Sequence, residues 1–387
     1  MTTLPTSFVH RDAATRLVLR DGAIDDLRNE LGSLGIARPL LLAGARTQRS
    51  AVFAGVVGAL GDMLHVRTEP VPAHSSVSLV ERLAAQAIVD GIDGFVAVGG
   101  GSASDTAKAI ALLMAEGGRL ADHAVRFTPP ATLVAPRLVA LKLPIVSIPG
   151  TASGAEVTAS LGVRDADGAK LLFTDIQLAA RLVLIDPRAN LEVPAALMCA
   201  TGMNGLAHCI EGLYSLERSP LAETLALDAM ARFAEALPAV HREPQDTAAR
   251  AALLYAAHLS GRVLVNARTC LHHAICHAIG SVTGVGHGDA NAVMLPHVIA
   301  FNAPAAAHPL ARAAVSLGAG HDAAALVHAV KALQADIGVP TRLRDIGVPP
   351  GTLDRIAAKT MRERGLYYNP RRVADAHEIR ALLDTAY

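Results

Sequence analysis

The residues best suited to chemistry in this 387-residue sequence are histidines, and they gather in its second half. Thr201-Gly-Met-Asn204-Gly-Leu-Ala-His208-Cys-Ile-Glu211 sets Asn204 and His208 four residues apart, on one face of a helix. Leu271-His272-His273-Ala-Ile-Cys276-His277 repeats the spacing with His273 and His277, and His287-Gly-Asp289-Ala-Asn291 follows. Taken singly, each histidine reads as an ordinary helix residue. Four at these spacings form a group able to carry protons near neutral pH or to offer imidazole nitrogens to a metal ion.

The first half holds a different kind of motif. Gly99-Gly100-Gly101-Ser102 follows an apolar run, Phe95-Val-Ala-Val-Gly-Gly-Gly101, and opens a helix over 102–118 that Ser102 is placed to cap. Bare glycines admit a phosphate close to the backbone, and the helix start offers free N–H groups. The plainer alternative is a tight strand–helix turn that needs glycine only for its backbone angles. A second loop of glycines and hydroxyls, Pro149-Gly150-Thr151-Ala-Ser-Gly-Ala-Glu156-Val-Thr158, follows the strand expected at 143–148. Lys170, in Asp167-Gly-Ala-Lys170, reads on its own as a solvated turn residue. After the strand at 39–44 the chain runs Gly44-Ala-Arg46-Thr47 without a carboxylate to hold ribose hydroxyls. An arginine there can accommodate a 2′-phosphate, which leaves both NADH and NADPH open.

The elements that must position these motifs alternate over residues 1–185. Strands are expected at 39–44, 65–71, 95–101, 143–150 and 180–187, with helices near 49–60, 78–91 and 102–118. That rhythm predicts a parallel sheet with helices on both faces. Segment 118–142 is irregular and reads as an excursion. From about residue 190 the pattern turns to Ala/Leu-rich helical stretches at 195–216, 219–236, 246–263, 268–281, 304–316, 322–336 and 351–359. The expected organisation is an α/β dinucleotide-binding domain over 1–189, Rossmann-like, and an all-α catalytic domain over 190–387.

Composition agrees with helices packed on a sheet: 51% hydrophobic, 3% aromatic and no Trp, so Ala, Val and Leu carry the core. Thirty-five basic against 35 acidic residues give no footprint for nucleic acid or an anionic membrane. The N-terminal residues lack a signal-peptide core, and the apolar run 138–148 is broken by Lys142 and Pro144. Cys199, Cys209, Cys270 and Cys276 follow no disulfide or CxxC spacing, which suits reduced thiols in a cytoplasmic protein.

Ser102-Ala-Ser-Asp105-Thr-Ala-Lys108 after the three glycines matches GGGSxxDxAK, the cofactor loop of the iron-containing alcohol dehydrogenase superfamily. The chain resembles that superfamily, whose domain with a sheet is followed by a helical one in a dehydroquinate synthase-like fold. The Pro149–Thr158 loop sits where relatives carry PTTxxxxSEVT, and Lys170 is similar to a lysine on the nicotinamide ribose side. The resemblance implies cofactor contacts at Gly99, Gly100, Gly101, Ser102, Asp105, Lys108, Gly150, Thr151 and Lys170. The family's metal motif, TGMDALxH then HxxxH then HG, maps its ligands onto Asn204, His208, His273 and His287. His277 matches the histidine near the nicotinamide.

Asn204 departs from that pattern, because an amide oxygen is a neutral and poorer donor for Fe²⁺ or Zn²⁺. The maleylacetate reductases, which work without a metal, carry GMNAxAH and LHHKxCH; this chain reads GMNGLAHC and LHHAICH. Its eight-residue Pro149–Glu156 segment and its Asn369-Pro-Arg371 ending also resemble that branch, whereas Asp105 and His287-Gly-Asp289 resemble the alcohol dehydrogenases. The branch implies reduction of maleylacetate to 3-oxoadipate, in aromatic degradation, by NADH or NADPH without a metal. His208, His273, His277 and His287 then serve as proton donors, Asn204 and Arg371 bind the carboxylate substrate, and the enzyme is a homodimer. Two other readings are a Zn- or Fe-dependent alcohol or aldehyde dehydrogenase and a non-catalytic binding protein that keeps the fold.

Overall fold

The structure, a computed structural model, describes residues 7–64, 66–129 and 132–387. Residues 1–6, His65 at the head of the strand expected at 65–71, and Pro130–Ala131 of the excursion lie outside the described residues. Two compact units emerge: Asp12–Arg126 with Val134–Val193, and Pro194–Tyr387 with the short stretches up to Arg11 and over Phe127–Leu133. No helix among the described residues is long and apolar enough to cross a membrane.

Residues 16–185 run β1 (Arg16–Leu19), α1 (Leu27–Ser33), β2 (Pro39–Ala43), α2 (Ala51–Leu60), β3 (Val66–Arg67), α3 (Val77–Val89), β4 (Gly94–Gly99), α4 (Gly101–Glu116), β5 (Arg126–Thr128), β6 (Thr132–Val134), β7 (Ile145–Pro149), β8 (Ser160–Arg164), β9 (Lys170–Thr174) and β10 (Leu182–Ile185), all but most of β5 and β6 in the α/β unit. Six strands form a sheet in the order β1-β10-β7-β4-β2-β3, every pair parallel. The central strands are apolar throughout because both faces are covered. Leu41, Val96, Val98, Val146, Ile148 and Leu184 pack with Leu27 and Leu31 of α1 and Phe53 and Val56 of α2. On the opposite face, α4 lies against β4, β2 and β7.

Topology decides where a ligand can enter. The chain leaves β2 toward β3 on one side and β4 toward β7 on the other, so the strand order reverses between β2 and β4. Crevices beyond the carboxyl ends of strands at such a reversal are where open α/β sheets bind ligands. The Gly44–Thr47 turn and the three-glycine loop both start there.

Several expectations need correction. The strand at 65–71 shrinks to Val66–Arg67 plus a lone bridge from Val71 to Gly44, as suits an edge carrying Arg67 and Glu69. Strand β1 and the β8–β9 hairpin carry no strong period and went unforeseen. Ser102 is not the cap: α4 begins at Gly101 with Gly100 as its N-cap, and Ser102 Oγ donates to the Ala73 carbonyl at 2.6 Å.

In the helical unit α5 (Ala195–Tyr214), α6 (Pro220–Arg242), α7 (Thr247–Ala267), α8 (Leu271–Thr283), α9 (His287–Asn302), α10 (Ala307–Ser316), α11 (Ala323–Asp336), α12 (Leu353–Thr360), α13 (Gly365–Tyr368) and α14 (Ala376–Thr385) follow one another. Helix α5 is the axis, packed against α6, α7, α9 and α10. Its glycines let neighbours close in: a Cβ on Gly202 would fall 2.5 Å from Leu237 Cδ2, and one on Gly212 would fall 2.3 Å from Val263 Cγ1. Helix α9 was not expected, because burial along most of its length removes the polar face by which helices are read and the sequence carries Pro296 within it.

The irregular excursion is anchored by charge. Lys142 Nζ, wholly buried, lies 2.5 Å from Glu116 Oε1 at the end of α4 and 2.7 Å from Asp175 Oδ2. Lys142→Met leaves two buried carboxylates without their cation and is expected to cost about 3–5 kcal/mol of stability. Urea unfolding at neutral pH checks this; a loss below about 1 kcal/mol would show that water already solvates the pair.

Candidate active site

Asn204, His208 and Glu211 lie along one stripe of α5, and all three are buried. The facing helix α8 presents His273, whose Nδ1 donates to Glu211 Oε2 at 2.5 Å and whose Nε2 lies 3.1 Å from Asn204 Oδ1. The His208 ring stacks on that of His273, with centroids 4.7 Å apart and planes at 23°. One turn along α8, His277 stacks on His287, which opens α9, at 5.3 Å. His287 in turn lies 5.6 Å from His273 between centroids. The four histidines and the asparagine expected from the sequence therefore meet in the helical unit. Gly288 explains how α9 starts so near α5: a Cβ there would fall 3.0 Å from the Ala200 carbonyl.

The group that organises this cluster was not singled out from the sequence. Glu211, with no exposed surface, takes His273 Nδ1 on one oxygen, and its other oxygen accepts from the amides of His272 at 2.9 Å and His273 at 3.4 Å. A carboxylate at the start of α8 meets free N–H groups and the positive end of the helix dipole. Burial nevertheless raises its pKa, with His272 and the amides of the α8 start opposing. Its grip fixes the tautomer of His273 and leaves Nε2 as the working nitrogen. The amide of Asn204 can accept from that nitrogen or, turned over, donate to it, so it serves either protonation state; a carboxylate serves only one.

Not every expected donor is one. Burial and the neighbouring rings push the pKa of His208 well below the ordinary value, so it stays neutral, and its Nδ1 has no partner among the described residues. Arg371 is also placed elsewhere: its guanidinium donates to the Phe301 carbonyl and to Glu378 and covers the Phe301 ring at 3.8 Å. The useful residue of that motif is Asn369, which accepts from the Leu271 amide at 3.3 Å and exchanges two hydrogen bonds with Asn302, tying α8 to α9. His277 lies 3.6 Å from Glu363 and is half-buried.

In the α/β unit, three loops meet at the carboxyl ends of β2, β4 and β7. Gly99 has φ 118°, and a Cβ there would fall 2.9 Å from Thr47 Oγ1; one on Gly150 would fall 3.1 Å from Gly99 Cα. These two glycines are thus required by backbone and packing. Gly100 is extended (φ −84°, ψ −175°), and a Cβ would meet only the Thr151 side chain at 3.2 Å, so its bareness has no backbone cause. Asp105 and Lys108 sit behind the loop. Lys108 Nζ, fully buried, donates to the carbonyls of Ala155, Thr158 and Ser160, and burial brings its pKa down to about 8. Asp105 accepts from the Gly162 amide at 3.2 Å, and burial raises its pKa. Lys108 thus braces the Pro149–Thr158 loop and the head of β8 from inside, and Asp105 ties α4 to β8 at Gly162. Lys170 lies on β9 with its stem over bare Gly162.

A divalent metal would draw on Asn204, His208, His273 and His287. This donor set lacks an anion, and Glu211 is committed to His273 and to amides. His208 and His273 lie face to face, so their in-plane lone pairs run side by side and do not converge. The cluster whose ligand atoms do fall within 4.8 Å of one another is Glu211, His272 and His273, an internal hydrogen-bond node. As arranged, these residues do not fit a tight Fe²⁺ or Zn²⁺ site.

Residues 14–187 match the family model for iron-containing alcohol dehydrogenase, and 198–387 match the C-terminal model of the Fe-containing alcohol dehydrogenase family. Maleylacetate reductase of Pseudomonas sp. strain P51 is 31% identical, over 98% of each chain. The chain belongs to the iron-containing alcohol dehydrogenase family. Its likeness falls on the maleylacetate reductase branch, and it is an oxidoreductase. The crystal structure of maleylacetate reductase from Agrobacterium tumefaciens superposes with a TM-score of 0.84 at 30% identity, over 99% of both chains. A 4-hydroxybutyrate dehydrogenase of Cupriavidus necator is 32% identical, over 96% of this chain and 97% of its own.

Glu211→Gln tests the node. The amide keeps the contacts to the α8 N–H groups but no longer holds the proton on His273 Nδ1. Turnover is expected to fall by about 10- to 100-fold with KM little changed. An unchanged kcat would remove Glu211 from the machinery.

Proposed function

We propose that this oxidoreductase uses NADH or NADPH to reduce the C=C bond of an unsaturated oxo-dicarboxylate, as maleylacetate is reduced to 3-oxoadipate, without a metal. The observation that carries the reading is Asn204: in place of an anionic ligand stands an amide bonded to a histidine that Glu211 holds from behind. Such an arrangement handles a proton instead of a metal ion. Bound NAD(P)H would supply the hydride for one alkene carbon, and an imidazole of this chain would supply the proton that completes the saturated oxo acid. His273 Nε2 and His277 are the donors proposed for that proton. Asn204 and neutral His208 orient the substrate by hydrogen bonds. The enzyme is read as a cytoplasmic homodimer of aromatic catabolism.

The pyrophosphate of the cofactor is assigned to the N–H groups that open α4 at Gly101 and Ser102, with Gly100 keeping the approach clear. Thr151 and Gly150 flank that approach and Lys170 lies on the ribose side. Exposed Arg46, beyond β2, is the group for a 2′-phosphate, so NADPH is accepted at least comparably to NADH.

Gly100→Val is expected to fold, because the backbone there suits any residue, and to weaken NAD(P)H binding by at least about 10-fold by fluorescence titration. Unchanged affinity would return the loop to a packing role. Chelator treatment is expected to leave reduction of maleylacetate nearly intact. Asn204→Asp should raise Zn²⁺ affinity by restoring an anionic oxygen. If activity vanishes with chelator and returns with one divalent metal, the histidines hold a working ion, and the metal-dependent alcohol dehydrogenase reading replaces this one.

A further inference from the structure

With Arg371 occupied by Phe301 and Glu378, the cation that receives an acidic substrate must be sought elsewhere in the helical unit. Arg268, in the turn between α7 and α8, has φ 63° and ψ 163°, and no other non-glycine described residue has positive φ. That region of backbone space is glycine's, and an arginine held there points to a use for its side chain. The turn is clamped by α13. A Cβ on Gly365 would fall 2.4 Å from the Cys270 carbonyl, so the residues before it are pressed onto the start of α8. Glu363 thereby comes within 3.6 Å of His277 Nδ1, and Arg364 comes beside Arg268.

Only the charges of Glu363 and Tyr368 oppose the crowding at Arg364. Some arginines of this unit pair with carboxylates, Arg312 with Glu223, Arg371 with Glu378 and Arg380 with Asp354. Among the described residues, no side-chain hydrogen bond or ion pair within 4 Å engages Arg268 or Arg364. Half-buried Arg364 has its pKa lowered, first by burial and then by the charge of Arg268. Two like charges brought together on a strained turn are unfavourable until an anion lies between them, and the planar forks of guanidinium suit a carboxylate.

We propose that Arg268 and Arg364 form a carboxylate-binding subsite beside His277, the anchor for one acid group of the substrate. The subsite deepens the reductase reading, on which it rests for the identity of that acid. Anchoring a carboxylate there sets the remainder of the molecule against the histidines, where the proton is delivered.

The test uses the full-length protein with succinate as probe and succinamide as its uncharged counterpart. Arg268→Gly removes the guanidinium while suiting the backbone, so it folds with unchanged or higher melting temperature; Arg364→Gln removes the second. Wild type binds succinate and not succinamide by calorimetry. Each variant loses about 10- to 100-fold in succinate affinity, and Arg364→Lys recovers part of it. NAD(P)H titration stays within about 2-fold in all of them, as required of a site that touches only the acid. In turnover, KM for the oxo-dicarboxylate rises more than kcat falls. Absence of succinate binding by wild type, equal binding of succinamide, or unchanged affinity in both variants overturns the subsite. Arginine-dependent succinate binding without reduction of the oxo-dicarboxylate leaves the subsite standing and removes the reductase reading. Reduction with KM unchanged in both variants does the reverse.

Discussion

A carboxylate with no exposed surface holds the histidine cluster of the helical unit together. Glu211 costs several kcal/mol to bury as an ion. That cost is offset because α8 arrives with its amino end, and with His273, pointed at it. Two helices that contribute nothing to one another in sequence are thereby fixed in rotation. One of them carries Asn204 and His208, the other His273 and His277. Without that carboxylate α8 could turn and still bury its apolar face, and the histidines would lose their common direction. Asn369 secures the same helix start from a third element, through the Leu271 amide.

The α/β unit solves a similar problem with a cation. Lys108 is enclosed beneath the Pro149–Thr158 loop, and three carbonyls share its ammonium. A loop of small residues has little apolar surface with which to hold its shape, and a buried donor with several acceptors supplies the missing rigidity. The glycines then divide by purpose. Gly99 and Gly150 are spent on bringing two loops together, and Gly100 leaves space that packing does not demand. The signature of the cofactor loop therefore mixes residues that face the loop's surface with residues that support it from behind.

Substitution of an amide for an acid at position 204 is small in volume and large in consequence. It removes a charge from a pocket of imidazoles, where burial and mutual repulsion already keep His208 neutral. In that setting the ring nitrogens find hydrogen-bond partners within the protein, as His273 does on both sides.

Much of this was legible in the sequence. Alternation of apolar runs with helical stretches gave the parallel sheet, because strands covered on both faces must be apolar throughout. The i, i+4 spacings put Asn204 with His208 and His273 with His277 because a helix fixes those faces locally. Tertiary structure alone decided the rest. Glu211 looks like any helix glutamate until α8 packs across it, and Arg371 looks like an anion site until Phe301 and Glu378 close on it. Helix α9 was hidden because burial along most of its length erased the polar face that period analysis needs. Lys108 and Asp105 read as cofactor contacts, yet on α4 Lys108 turns to the carbonyls of Ala155, Thr158 and Ser160 and Asp105 to the Gly162 amide. Spacing along one element is local information, and partners across elements separated by dozens of residues depend on which faces the packed core leaves together.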